Sequence, residues 1–282
     1  MAVLREFTDA AGEHGYRVRL LDADEVLRHS PGANPEQLRG GLLSETEMTV
    51  NPRQALSAIP RWLASELGVE FIYDAAVTAL DMPRVMAGGR VLRAEHVFVC
   101  SGADFETLYP DVLQASPLKK CKLQMMKTGP QPDGWRLGPS LCAGLTLRHY
   151  PAFEHCPSVG AVRERFARLD ARLDQWGIQI LLSQNAAGEL IIGDSHEYGD
   201  DIQPFDREEI NELILESLFQ FARFPDKRIT ERWHGIYAKS MDGAPYFTAE
   251  PETGVTIVNG LGGAGMTLSM GLGEKVVAER FS

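Results

Sequence analysis

Residues 255–268 read VTIVNGLGGAGMTL and join a continuous apolar run to a cluster of glycines. The run Val255–Val258 predicts a buried strand, and the pattern from Leu268 to Arg280 predicts a helix directly after the turn. Glycines at such a turn let backbone N–H groups approach a ligand, and the helix N-terminus adds the positive end of its dipole. The stretch therefore predicts an α/β unit whose glycine turn holds a cofactor. A tight turn without a ligand is the alternative.

The composition is that of a globular protein. A chain of 282 residues with 44% hydrophobic residues can bury a sizeable core, organised as one or two domains. The net charge of −11 and the pI near 5.2 argue against nucleic acid and anionic membranes as main partners, because both would repel the protein. Lys119, Lys120, Lys122 and Lys127 are expected on a solvated strand edge or loop rather than in a basic patch.

The four cysteines form neither a CxxC pair nor a zinc-ligand spacing, so we expect reduced thiols and no metal site. No N-terminal apolar segment of the kind that directs secretion is present, and no run of 18 or more apolar residues occurs. These features predict a cytoplasmic protein. They leave its oligomeric state open.

Apolar periodicity predicts secondary structure along the whole chain. Helices are expected over residues 2–15, 22–28, 52–67, 158–169 and 207–221, and strands over 38–43, 69–73, 76–80, 90–92, 96–100, 121–127, 178–183 and 189–193. In the third helix Pro52 suits the first turn, and an apolar stripe ends at Gly68. The pattern predicts a mixed α/β (α+β) fold that contains antiparallel strands.

Two sequence blocks carry a family resemblance. Gly260–Leu268 with the following SMGLGE (269–274) resembles the C-terminal flavin-binding signature of the D-amino-acid oxidase superfamily, and WHGIYAKSMDGAPY (233–246) is similar to the preceding block of that superfamily. The resemblance implies FAD as a cofactor. It implies non-covalent attachment too, because Gly235 stands where covalent relatives carry a cysteine.

The resemblance also implies which residues contact FAD and how the domains are arranged. It extends to RAEHVFVCSGA (93–103), a strand that runs into a second cofactor turn. The implied FAD contacts are Val77, Ser101, Gly102, Gly235, Gly260, Gly262, Gly263, Ala264, Gly265, Met266 and Thr267. The implied architecture is an incomplete Rossmann-like FAD-binding domain, residues 49–113 and 233–282, interleaved with an antiparallel-sheet substrate domain, residues 1–48 and 114–232.

Two further stretches narrow the resemblance. GLTLRHYPAF (144–153) with Cys156, and GDSHEYG (193–199), resemble a subgroup of flavin oxidoreductases associated with phosphonate catabolism and proposed to deaminate aminophosphonates. The function implied is oxidative deamination of a small amine or amino acid, with an aminophosphonate as the narrower candidate. Ile191 stands where some relatives carry a lysine that promotes oxygen reduction, so the electron acceptor stays open.

Substrate binding is expected to need donors for an anionic head group. The candidate catalytic residues are Tyr237, His196, Tyr198, Arg148 and His149. The two histidines are equally compatible with structural roles, and Arg148 with a surface salt bridge. Lys239 is a further candidate donor, but a solvated loop position is expected for it. Tyr237 stands where amino-acid oxidases of the superfamily carry an arginine and sarcosine oxidases a tyrosine.

The superfamily begins with a strand, a GxGxxG turn and a helix that bind the ADP part of FAD. No GxGxxG precedes Gly260, so we expect a chain that lacks this unit and binds FAD weakly. A catalytically inactive fragment that keeps a ligand-binding substrate domain is therefore the alternative to an active enzyme. A NAD-dependent dehydrogenase is disfavoured because only 14 residues follow Leu268.

Overall fold

Two interleaved sets of segments build the protein in this computed structural model, which describes residues 1–281. Unit 1 comprises Met1–Val50, Leu123–Glu197 and Gln203–Gly235. Unit 2 comprises Asn51–Lys122, Tyr198–Ile202 and the chain from Ile236 onward. The chain therefore passes between the units several times.

Eight α-helices occur in the described chain. They are α1 (Ala2–Ala10), α2 (Ala23–His29), α3 (Pro52–Leu67), α4 (Pro110–Gln114), α5 (Val159–Leu169), α6 (Arg172–Gln175), α7 (Glu208–Phe221) and α8 (Gly265–Phe281). Their ends follow from local chemistry. Asp22 and Glu25 form a capping box at the start of α2, and Gly68 ends α3 in the left-handed conformation.

Fourteen strands occur in the same residues. They are β1 (Val18–Leu21), β2 (Gly41–Ser44), β3 (Val77–Asp81), β4 (Arg84–Ala87), β5 (Arg90–Arg93), β6 (Val97–Val99), β7 (Leu118–Pro130), β8 (Leu141–Cys142), β9 (Leu181–Gln184), β10 (Glu189–Gly193), β11 (Glu197–Gly199), β12 (Ile229–Ser240), β13 (Phe247–Ala249) and β14 (Val255–Asn259). Short 3-10 turns cover Pro132–Gly134, Gly144–His149, Pro151–Phe153 and Gly262–Ala264.

Unit 1 is built on the larger part of a six-stranded sheet. The sheet has the order β11-β7-β10-β9-β8, and β12 also pairs with β7. Strand β10 is antiparallel to both neighbours, so Ile192 lies opposite Met126 on one side and Leu182 on the other. Helix α7 covers this core with a stripe of buried residues that includes Ile210 and Ile214. The sheet and α7 together bury the largest apolar cluster of unit 1.

A buried polar network fixes α7 to the sheet of unit 1. The Gln124 side chain, which is 1% exposed, donates to Asn211 Oδ1 and to the Arg207 carbonyl oxygen, both at 2.9 Å. Its own carbonyl oxygen accepts from the Arg207 backbone N–H at 2.8 Å. All three bonds lie at the start of the helix. The bond from the Arg207 N–H satisfies a backbone donor that would otherwise be unpaired at the helix start.

Unit 2 contains a three-stranded sheet of mixed direction, with the order β13-β14-β6. Strands β14 and β6 are parallel, with Val255 opposite Val97 and Ile257 opposite Val99. A second sheet, β3-β4-β5, is antiparallel throughout. The mixed α/β architecture expected from the sequence is thus present, with antiparallel sheets beside one parallel pair.

Some expectations were wrong in detail. Residues 69–73 form no strand, and β4, which was not expected, pairs between β3 and β5. Helix α3 has the expected bounds, but none of its residues is buried, and Leu56 and Leu67 are 61% and 63% exposed. Local periodicity therefore predicted the helix correctly, but not what covers its apolar stripe.

The lysine group is not wholly solvated, contrary to expectation. Lys122 and Lys127 are only 2% and 7% exposed, because both lie on β7 with their side chains inside the protein. The ammonium of Lys127 is balanced by Glu189 at 2.9 Å and Glu231 at 2.8 Å. These two hydrogen-bonded carboxylates raise the pKa of Lys127 above its ordinary value. The burial is tolerated because the charge is paired.

Other features bear on the class of protein. The four cysteines are free thiols, two of them exposed and two buried. Among residues 1–281, no three or more His, Cys, Asp or Glu side chains are arranged to hold a metal ion. No helix of the described chain is both long and apolar enough to cross a bilayer.

Truncating the centre of the unit 1 core should destabilise the protein. Leu190 is fully buried in β10, so Leu190→Ala should lower the free energy of unfolding by about 2–5 kcal/mol through lost burial and a cavity. Leu169→Ala is the matched control, since Leu169 is 63% exposed, and it should change stability by no more than about 0.5 kcal/mol. Urea unfolding measures both values. Equal effects of the two substitutions would contradict the assigned core.

Candidate functional site

The glycine turn after β14 has a shape that requires glycine at its first position. Gly260 has φ +78°, and a Cβ there would lie 2.6 Å from Leu118 Cδ2. The preceding Asn259 accepts the Gly260 N–H on its side-chain oxygen at 2.8 Å. The 3-10 turn Gly262–Ala264 then leads into α8. A side chain at position 260 would thus be excluded both by the backbone conformation and by its neighbours.

A second turn, at the end of β6, lies beside the first. Asn259 Nδ2 donates to the carbonyl oxygen of Gly102 at 2.9 Å, and Ser101 Oγ donates to the carbonyl oxygen of Asp104 at 2.9 Å. Strands β6 and β14 are parallel, so their carboxyl ends meet at one edge of the sheet. In open α/β sheets ligands bind outside the carboxyl ends of such strands. The two turns therefore form one candidate binding edge.

Open space lies over parts of this edge. No heavy atom comes within 4 Å of where a Cβ would stand on Gly102 or Gly265. Gly265 is the first residue of α8, whose opening backbone N–H groups have no partner within the helix. The edge thus combines uncovered backbone with the positive end of a 17-residue helix.

Strand β12 places two side chains against the glycine turn. Tyr237 and Lys239 alternate with the buried Ala238 and Ser240, so both project from the other face of the strand. The Tyr237 hydroxyl is 3.5 Å from the Cβ position of Gly263. The two residues therefore lie along the wall of the turn.

Lys239 lies on a strand, not on the loop expected from the sequence. Its Cγ is 3.4 Å from the Cβ position of Gly262, and the residue forms a β-bridge with Leu261. Its ammonium donates to the Tyr198 hydroxyl at 3.2 Å and lies 5.4 Å from the centre of that ring. The expected exposure is correct, but the side chain is held at the glycine turn.

The remaining candidate cofactor residues are more dispersed. Ala264, Met266 and Thr267 are exposed at the junction of the turn and α8. Val77 begins β3 in the separate antiparallel sheet of unit 2. Gly235 belongs to unit 1, where a Cβ would lie 3.5 Å from Leu123 Cδ1. The contacts described above join the turns after β6 and β14, and neither Val77 nor Gly235 takes part in them.

Arg148 lies in unit 1 and is buried rather than on the surface. Its side chain forms an ion pair with Asp174, and its guanidinium carbon is 5.7 Å from the centre of the Phe166 ring. Its Nε and Nη2 atoms are buried without a hydrogen-bond partner. Burial lowers the pKa of Arg148, and the charge of Asp174 opposes this effect. A fork of two unpaired donors is suited to a planar or tetrahedral oxyanion.

The two candidate histidines of unit 1 differ in their environments. Burial, followed by the charges of Arg148 and His196, lowers the pKa of His149 to about 4. Its Nε2 is buried without a hydrogen-bond partner. His196 Nδ1 lies 2.8 Å from the Gly177 carbonyl oxygen, to which it donates. His149 is therefore a neutral imidazole near pH 7 and cannot act as a cationic clamp.

A groove of about 480 Å³ adjoins two of these residues in unit 1. It is lined by Arg148, His149, Arg163, Glu164, Ala167 and Asp174. Each arginine in the lining faces a carboxylate, Arg148 with Asp174 and Arg163 with Glu154. The charges of the groove are therefore largely balanced.

Asp194 was not among the sequence candidates, although it lies inside the GDSHEYG stretch. Burial raises its pKa to about 7, and its Oδ1 is buried without a hydrogen-bond partner. Burial also raises the pKa of Tyr150 to about 12, with smaller contributions from Cys142, Asp194 and Glu47. A carboxyl that titrates near neutral pH is a functional candidate. The GDSHEYG stretch was the only sequence signal that pointed to Asp194, because the burial of this residue could not be inferred from the sequence.

The lowered pKa of His149 predicts how it titrates. Its imidazole signals should shift with a midpoint near pH 4 in an NMR titration, with assignment by loss of the signals in His149→Gln. The unfolded chain binds this proton near pH 6.5 and the native protein does not. His149 therefore contributes stability that falls from about pH 6.5 toward pH 4, and His149→Gln should remove that part of the slope. A midpoint near 6.5 would contradict the buried, neutral state.

Comparison with known proteins places this geometry in a family. A family model described as FAD dependent oxidoreductase (DAO) matches residues 1–280. No curated protein sequence matches significantly. Glycine oxidase from Geobacillus kaustophilus has a similar structure, with a TM-score of 0.63 and 18% identity over 97% of this chain and 65% of that chain.

Two further solved structures are similar. L-proline dehydrogenase from P. horikoshii gives a TM-score of 0.68 at 16% identity, covering 95% of this chain and 65% of that chain. Glycine oxidase from Bacillus cereus gives 0.68 at 14% identity, covering 96% and 67%. The present chain thus spans about two thirds of the length of these structures, and at such identities the likeness establishes the fold. The family match over nearly the whole sequence establishes more: the chain belongs to the DAO family of FAD dependent oxidoreductases.

Proposed function

We propose that this chain is the part of an oxidoreductase that oxidises a small amine or amino acid, with FAD held non-covalently at the glycine turn. The observation that carries the proposal is the edge formed by the turns after β6 and β14. It has uncovered backbone at Gly102 and Gly265, and Tyr237 beside Gly263. The other two helices in the described part of unit 2, α3 and α4, begin with a proline and have no glycine at their start.

The residues at this edge fit a flavin. The donor set consists of backbone N–H groups at the start of α8, which favour an electron-rich or anionic group. Non-covalent attachment is proposed because Gly235, on β12, stands where covalently flavinylated relatives carry a cysteine. When bound, FAD accepts the hydride equivalent from the α-carbon of the substrate. The protein has to bind, orient and shield the substrate.

We assign the substrate contacts as follows. In unit 2, the hydroxyls of Tyr237 and Tyr198 donate hydrogen bonds to the acid group of the substrate. In unit 1, Arg148 is a separate candidate for binding an anion through its unpaired Nε and Nη2 donors. His149 is neutral, so its proposed role is to orient neighbouring groups by hydrogen bonding and not to supply a positive charge. His196 is held by the Gly177 carbonyl oxygen through Nδ1, which fixes the orientation of its ring.

The substrate class proposed is an amine that bears an acid group, either a carboxylate or a phosphonate. The structurally similar proteins include a glycine oxidase and an L-amino acid deaminase, and their names specify amino acids as substrates. The GDSHEYG and GLTLRHYPAF stretches support the narrower candidate, an aminophosphonate. Glycine and aminomethylphosphonate differ only in the acid group, so this pair separates the two alternatives.

Anaerobic reduction tests the proposed function. Protein supplied with FAD is mixed with glycine, aminomethylphosphonate or glycinamide, and the visible flavin absorbance is followed. Bleaching by at least one acid-bearing amine supports the proposal, and faster bleaching by aminomethylphosphonate than by glycine supports the narrower one. Failure of every amine to bleach a flavin that dithionite still reduces would refute it.

A second candidate is that this chain binds ligand without turnover. The observation that favours it is the exposure of α3, which buries no residue although it carries an apolar stripe. Met266, Leu268 and Met270 of α8 are similarly exposed, at 44%, 40% and 66%. Under this alternative, amines perturb the spectrum of added FAD but do not bleach it.

Removing one hydroxyl tests the role of Tyr237. Tyr237→Phe should raise the half-saturating amine concentration by about tenfold to a hundredfold, because a hydrogen bond to a charged group contributes about 1.5–3 kcal/mol. Tyr246→Phe is the matched control, since the Tyr246 hydroxyl accepts from Lys275 at 2.6 Å. Steady-state or flavin-reduction kinetics measures both. An unchanged half-saturating amine concentration in Tyr237→Phe would show that the Tyr237 hydroxyl does not bind the substrate.

A further inference from the structure

Lys239 is held at the glycine turn but its charge is not neutralised. The stem of its side chain lies against Gly262, and its ammonium meets the Tyr198 hydroxyl at 3.2 Å. Among residues 1–281 no carboxylate forms an ion pair with Lys239. The half-buried Lys119 and Lys120 of unit 2 differ in this respect: Lys119 pairs with Asp200 at 2.7 Å, and Lys120 with Glu106 at 2.7 Å.

The pairing with Tyr198 fixes the position of the ammonium. A lysine ammonium has three donors, and the Tyr198 oxygen takes one of them, so two remain for a ligand. The ammonium also lies 5.4 Å from the centre of the Tyr198 ring, at a distance where the face of an aromatic ring attracts a cation. A long, flexible side chain is thereby held in one place at the turn.

The neighbouring residue on the same face of β12 cannot provide this charge. Tyr237 precedes Lys239 by two positions, and both side chains contact the glycines of the turn. A tyrosine hydroxyl donates a hydrogen bond but does not neutralise an acid group. Lys239, two residues further along the strand, offers the positive charge that the acid group of a substrate requires.

We propose that Lys239, positioned by Tyr198, binds the carboxylate or phosphonate group of the substrate and so sets the preference for acid-bearing amines. This inference rests on the proposed function and deepens it. The same ammonium chemistry could bind a phosphate of FAD or free inorganic phosphate, so the experiment has separate arms for each.

Ligand binding to the FAD-loaded protein provides the test. Perturbation of the flavin spectrum gives dissociation constants for acetate, methylphosphonate, inorganic phosphate and, as an uncharged probe, acetamide. A separate titration gives the dissociation constant for FAD. The variants are Lys239→Gln, Lys239→Arg and Tyr198→Phe, and Lys119→Gln is the control on a paired lysine. These binding constants can be measured even if no amine is oxidised.

The expected pattern is specific. Lys239→Gln should weaken the binding of acetate and methylphosphonate by about tenfold or more. The affinities for acetamide and FAD should be unchanged in this variant. Lys239→Arg should retain most of the affinity for the two anions. Tyr198→Phe should have a smaller effect in the same direction, and Lys119→Gln none. Loss of FAD affinity alone would assign Lys239 to the cofactor phosphates and overturn the inference. If Lys239→Gln lost affinity for inorganic phosphate alone, or for no anion at all, the inference would be overturned as well.

The outcome is separable from that of the proposed function. If acid-bearing ligands depend on Lys239 but no amine reduces the flavin, the binding inference stands and the amine oxidation is refuted. If amines reduce the flavin equally well with glutamine at position 239, and with unchanged half-saturating concentrations, the proposed function stands and the role of Lys239 is refuted.

Discussion

The parallel pairing of β6 with β14 is the constraint on which the candidate site depends. Parallel neighbours end at the same edge, so the turns after Val99 and Asn259 must lie side by side. Asn259 fixes their relation by donating to the Gly102 carbonyl oxygen and accepting from the Gly260 N–H. The left-handed conformation of Gly260 then directs the chain into α8. The placement of Tyr237 and Lys239 follows, because β12 lies along the same turn.

Features encoded by a local pattern were predictable from the sequence. Strand β10 has the expected bounds, α7 begins one residue late, and α3 ends at Gly68 as its left-handed cap requires. The buried strand β14 and its glycine turn belong to this group, since an apolar run and a glycine cluster are visible in a single short window. The glycine turn after β14 also carries part of the family resemblance.

Features that depend on contacts between distant segments were not predictable. The burial of Lys127 requires Glu189 and Glu231, which lie far from it in sequence. Lys239 was expected on a loop because a lysine between small and polar residues has no strand pattern of its own, and its partner Tyr198 is 41 positions away. The raised pKa of Asp194 comes from burial, which its neighbours in sequence do not reveal. The site residues that carry charge were therefore the hardest to predict.

FAD binding to a variant of the turn after β14 is the most direct test of the proposed flavin site. A Cβ added at Gly265 would meet no neighbouring atom within 4 Å, so we expect Gly265→Leu to leave the fold intact while filling the space that the cofactor needs. Gly273→Leu adds the same side chain to open space further along α8 and is the control. An equilibrium titration with FAD should show saturable binding by the wild type and Gly273→Leu, and binding weaker by about tenfold, or ~1.4 kcal/mol, in Gly265→Leu. Equal FAD affinity in all three proteins, or no saturable binding by the wild type, would contradict the proposed flavin site.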